Sequence, residues 1–139
     1  LGESQRIRVI DLIERSSAMK RFLLAVATLL PLFAALPAQA FEVFTKSAFE
    51  MAQDKGDKIL LHVHAPWCPT CRAQEPGVAL LEKQRPELKV FRVDFDSQKE
   101  VLRQLRVTAQ STLIAFDGKA ETGRLVGVTD GGAIAALVK

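Results

Sequence analysis

The 139-residue chain predicts an α/β fold: a central mixed β-sheet flanked by helices, preceded by a signal peptide. Three observations carry this. From Phe41 onward, short apolar runs alternate with stretches of helical period, the pattern that lays strands side by side with helices as crossovers. Near the end, two strand-like runs flank Asp117-Gly118, a hairpin signal that turns the last pair antiparallel. Ahead of all this, a basic start and an apolar run end in Ala38-Gln39-Ala40.

Met19-Lys20-Arg21 is a basic n-region and Phe22 to Leu36 an apolar core of 15 residues, short of the roughly 20 that span a bilayer. Residues 19–40 therefore read as a secretory signal peptide cleaved after Ala40, which implies a periplasmic protein. No cysteine follows the cleavage point, so nothing suggests a lipid anchor. Residues 1–18, with no methionine at their head, read as an upstream non-native extension. The functional domain is 41–139.

Within that domain Phe41 to Phe44 alternates as a short strand, and Thr45 caps a helix through about Gln53. Lys58 to His64 is a buried strand, followed by a helix from about Cys68 that Pro76-Gly77 should interrupt before it resumes to Gln84. Leu88 to Phe95 alternates as a strand, and Ser97-Gln98-Lys99-Glu100 reads as a capping box opening a helix. Thr112 to Phe116 and Thr122 to Val126 are the hairpin strands, Gly127 ends the second, and Asp130 caps a final helix over Ala133 to Val138. The order is β-α-β-α-β-α-β-β-α.

Composition excludes several functions. The net charge of +3 is mostly amino-terminal: from Phe41 onward 14 Lys and Arg face 13 Asp and Glu, no footprint for nucleic acid. Asp94 and Asp96 lack the glycine spacing and further ligands of a metal loop. Two cysteines three positions apart close too small a loop to staple a fold, so the pair reads as reactive rather than structural.

Those cysteines lie in His62-Val63-His64-Ala65-Pro66-Trp67-Cys68-Pro69-Thr70-Cys71, which also holds both histidines and the only tryptophan. Cys-x-x-Cys between a strand and a helix is a dithiol that can close on itself. Cys68 at the helix tip meets unpaired N–H groups and the positive end of the helix dipole. Such settings lower a thiol pKa from about 8.5 to roughly 3.5–7.5. Cys68 is thus the expected nucleophile, and Cys71, one turn in, the resolving thiol. Trp67 beside the nucleophile is expected to shape the substrate surface.

Over 41–139 the chain resembles the thioredoxin superfamily, in Trp67-Cys68-Pro69-Thr70-Cys71 after an apolar strand, Pro76 five residues past Cys71, the block Val107 to Phe116, and Val126-Gly127. With its signal peptide it is similar to exported thioredoxin-like proteins that serve disulfide reduction or cytochrome c maturation. The resemblance implies a monomeric thiol–disulfide oxidoreductase that reduces substrate proteins and is recycled by a membrane electron conductor of the DsbD or CcdA kind. It implies no cofactor beyond the redox-active Cys68–Cys71 disulfide, and places Ser111, Thr112 and Gly127 along the substrate groove.

The chain departs from the family pattern in three places. Pro69-Thr70 stands between the cysteines where thioredoxins have Gly-Pro, which shifts the balance of thiolate and disulfide. Ser111 stands at the family's cis-proline. A cis bond before serine costs about 2.5–4 kcal/mol, so a trans bond and a reshaped loop are expected there, with altered docking of substrate. His62 occupies the place of the family's buried acid and is the expected acceptor of the Cys71 proton, with His64 a lesser candidate on the same strand face. The rival reading is a metal- or cluster-binding module using His62, His64, Cys68 and Cys71. It is the weaker, because structural zinc sites pair their ligands across a loop.

Overall fold

A computed structural model describes residues 41–139. The expected extension 1–18 and signal peptide 19–40 lie outside the described residues. Five strands and four helices follow the expected order: β1 (Glu42–Val43), α1 (Lys46–Lys55), β2 (Lys58–His64), α2 (Pro69–Gln84), β3 (Lys89–Asp94), α3 (Lys99–Gln104), β4 (Thr112–Asp117), β5 (Ala120–Val126) and α4 (Gly131–Leu137).

The sheet order is β1-β3-β2-β4-β5. β1 and β2 pair parallel with β3, β4 runs antiparallel to β2, and β5 antiparallel to β4. The strand period of two sends alternate side chains to opposite faces. On one face Ile59, Leu61, Val63, Phe91, Val93, Ile114 and Phe116 pack with Phe49 of α1 and Leu102 of α3. On the other, Leu60, Val90, Leu113 and Ala115 meet Val78 and Leu81 of α2 and Ile134 of α4. β2 is central, so its carboxyl end is the point to which both layers converge.

Local chemistry sets the helix ends. Thr45 accepts the Ala48 N–H and Asp130 the Ala133 N–H through their side chains. α1 runs two residues beyond Gln53 and stops at Gly56, whose φ of 76° suits the left-handed cap.

Two expectations fail. α2 is one helix through Pro76 rather than two pieces. Pro76 sits on its exposed side, while Cys71, Gln74, Val78 and Leu81 hold both halves against the sheet and outweigh the missing N–H bond. Gly77 is there for packing: a Cβ would stand 3.2 Å from Ile134 Cδ1 and 3.3 Å from Gly131 Cα, so it lets α4 lie close. The capping box at Ser97 also does not form. Gln98 takes the cap position without capping the helix through its side chain, which accepts the Asp94 N–H and donates to Phe44 O instead, and the Ser97 N–H and hydroxyl both donate to Asp94 Oδ1.

Candidate active site

The Cys68–Cys71 disulfide closes at the amino end of α2, just past the carboxyl end of β2. Pro69 is the first helical residue, where its absent N–H costs nothing and its fixed φ suits the helix. Cys68 is itself the cap: the Cys71 N–H donates to Cys68 Sγ at 3.0 Å. The leading sulfur therefore receives a donor that would stabilise its negative charge once reduced. Cys71 Sγ lies one turn deeper, 3.9 Å from the Val63 carbonyl oxygen. Both cysteines are buried, and the exposed surface above them comes from Pro66, Trp67 and Pro69 with Thr70 half-buried.

Trp67 is 54% exposed. Its indole N–H donates to Asp96 Oδ2 at 2.8 Å and its ring meets Phe95 edge-on, so a large apolar face is held outward beside the disulfide. Val126, 55% exposed, and Gly127 form a lip that the buried Ser111 holds through its carbonyl.

The Gln110–Ser111 bond is trans, as are all described peptide bonds. Ser111 adopts a left-handed φ of 56°, its N–H donates to Val63 O at 3.0 Å, and its carbonyl accepts the Gly127 N–H at 3.0 Å. A proline has neither that N–H nor that φ, so the serine loop is a different structure from a proline loop. The Ser111 hydroxyl donates to Gln110 O rather than standing free. Thr112, expected in the groove, is buried with its hydroxyl spent on Ala109 O at 2.7 Å. Gly127 is exposed with φ 69°.

Behind the disulfide, between the sheet and α2, lies a polar layer. His62 is fully buried with Nε2 3.1 Å from Gln74 Oε1. Burial first, then the His64 and Arg92 charges, lower its pKa from 6.5 to about 4 against the opposing hydrogen bond to Gln74. The ring is therefore neutral at physiological pH. His64 shares the face, its ring centroid 5.6 Å away and its Nε2 3.3 Å from Glu75 Oε1. Burial, then Arg92, lowers its pKa too, against Glu75 and Asp94. Arg92 on β3 pairs with Glu75 at 2.7 Å and covers the Phe41 ring at 4.2 Å.

Gln74 and Glu75 escaped the reading of the sequence. The available signal was spacing: Cys71, Gln74, Val78 and Leu81 fall on one helical face, and a polar residue inside that series marks a buried network. His62, His64, Cys68 and Cys71 are not brought together as a metal set. His62 Nε2 is occupied by Gln74, and among the described residues no group of three or more His, Cys, Asp or Glu side chains is placed to hold a metal ion.

A five-stranded mixed sheet with a helix-capping Cys-x-x-Cys at the end of its central strand is shared with known proteins. The thioredoxin family model matches residues 40–139. The chain belongs to the thioredoxin family. A thioredoxin H-type protein of Fagopyrum esculentum is 34% identical over 79 residues, 57% of this chain and 68% of that protein. Among solved structures, Trxlp of Edwardsiella tarda EIB202 is similar at 39% identity and TM-score 0.68, covering 70% of this chain and 97% of that one. Oxidized thioredoxin O2 of Arabidopsis thaliana aligns at 27% identity and TM-score 0.63, over 70% of this chain and 90% of that one. This thioredoxin-family chain is a thiol–disulfide oxidoreductase with Cys68–Cys71 as its redox-active disulfide.

Proposed function

We propose that the protein is an exported reductase of protein disulfides, working in the periplasm as a monomer and recharged by a membrane electron conductor of the DsbD or CcdA kind. The observation that carries the electron-transfer assignment is the asymmetry of the two sulfurs. Cys68 caps α2 and accepts the Cys71 N–H, while Cys71 lies inside the first turn of the helix with its sulfur 3.9 Å from the Val63 carbonyl.

In the reduced protein the Cys68 thiolate attacks one sulfur of a substrate disulfide, forming a mixed disulfide and expelling the other substrate sulfur as a thiolate. Cys71 then loses its proton and attacks Cys68 Sγ. The second substrate thiolate leaves, the enzyme disulfide closes, and two electrons have passed to the substrate. His62 accepts the Cys71 proton: it is neutral, buried, and held by Gln74, one turn along α2 from Cys71. A weak base of this kind holds the proton only in passing, and a neighbouring thiolate strengthens it.

The test is insulin reduction together with equilibration of the Cys68–Cys71 couple against glutathione. A potential near about −270 mV with turnover on insulin fits a reductase, and one near about −120 mV refutes it in favour of an oxidant. Replacing His62 by leucine should slow resolution of the mixed disulfide; an unchanged rate removes its role. Export is checked by sequencing the mature amino terminus, expected at Phe41.

A further inference from the structure

Gln74 has no exposed surface, yet it carries a primary amide, and all of that amide is used. Its Nε2 lies 3.0 Å from Ser111 O and 2.8 Å from Val128 O. Two carbonyl oxygens accept and cannot donate, so the NH₂ group must face them and both its hydrogens are spent. The amide oxygen is thereby turned towards His62 Nε2 at 3.1 Å. An oxygen there can only accept, so Nε2 carries the hydrogen. The lone pair of the neutral ring is left on Nδ1, which is buried and has no hydrogen-bond partner among the described residues. An unpartnered buried acceptor is destabilising, and one kept in a redox site points to use.

We propose that Gln74 is a positioning residue that fixes His62 in the Nε2–H tautomer, so that Nδ1 is the atom that takes up the Cys71 proton. This rests on the proton-acceptor reading of His62. Through the same amide Gln74 ties that ring to both sides of the substrate lip, since Ser111 O also accepts the Gly127 N–H and Val128 follows directly. The groups around His62 are His64 on its own strand, Arg92 on β3, Gln74 on α2, the Phe41 ring and apolar Leu113 on β4. Glu75, Asp94 and Arg72 act on His64 beside it. None of these replaces Gln74 at Nε2 among the described residues, so the tautomer depends on this one side chain.

The tautomer is read from long-range ¹H–¹⁵N correlations of the His62 ring in the full chain. Resolution is read in stopped flow with 5,5′-dithiobis(2-nitrobenzoate), where the reduced protein releases one thionitrobenzoate when Cys68 attacks and a second when Cys71 resolves. Wild type should show Nε2–H. Gln74→Leu should lose that preference and slow the second release relative to the first about tenfold, the worth of one hydrogen bond. The ring tautomer is the readout that a merely structural role for Gln74 would not move: slower release with an unchanged Nε2–H ring in Gln74→Leu overturns the proposal. An Nδ1–H ring in wild type overturns the proposal without any variant. A slow His62→Leu beside a fast Gln74→Leu overturns it alone, whereas a fast His62→Leu overturns the proton-acceptor reading and this one together.

Discussion

The Ser111 N–H donates to the Val63 carbonyl at 3.0 Å, on the same oxygen that the Cys71 sulfur approaches to 3.9 Å. The loop that borders the substrate surface is thus pinned to the strand that carries the site, through a backbone group that proline does not have.

Ser111→Pro tests that pin. Proline cannot keep φ at 56° and cannot donate to Val63 O, so the loop must rearrange. Stability should fall by about 1–3 kcal/mol, read from the urea midpoint at constant slope. A variant as stable as wild type would show that the serine loop contributes nothing.

In the proposed function Trp67 docks substrate rather than holding the fold, since over half of it is exposed and its indole N–H donates to exposed Asp96. Trp67→Ala should lower kcat/KM for insulin reduction about tenfold, with the urea midpoint almost unmoved. Equal losses of stability and activity would make it a core residue instead.

Stability should also follow the buried imidazole. His62 has a pKa of about 4 when folded against 6.5 in its ordinary state, so between those values the unfolded chain binds the extra proton. Stability contributed by the neutral ring is complete above pH 6.5 and is lost as pH falls towards 4, by roughly 3 kcal/mol. His64, lowered in the same direction, adds to the loss. Asp94, held below the usual carboxylate range by Ser97, acts in more acid solution. Urea unfolding at pH 7, 5.5 and 4.5 should show the decline in wild type and a shallower one in His62→Leu. Parallel curves would contradict the burial argument.

The parts of this structure that the sequence disclosed are those encoded locally. Lys58–His64 is a strand to the residue because its apolar run lies between a turn and the cysteines, and the Thr45 and Asp130 caps sit three residues from the N–H groups they accept. Cys68 and Cys71 needed only their spacing and a helix start. What stayed hidden depends on distant partners. Pro76 reads as a break until Gly77 is seen to lie against Ile134 and Gly131. Ser97 reads as a cap until Asp94 claims it. Gln74 reads as one polar helix residue among many, because the carbonyls it holds come 37 and 54 residues later.

The central claim is that Cys68 is an ionised nucleophile at a helix tip with Cys71 held in reserve beneath it. Its most direct test is the pH dependence of iodoacetamide alkylation of the reduced protein, with the modified cysteine identified by peptide mass. The account predicts that Cys68 reacts first with an apparent pKa within roughly 3.5–7.5 while Cys71 is spared. Both thiols titrating together near about 8.5, or Cys71 reacting first, would contradict it.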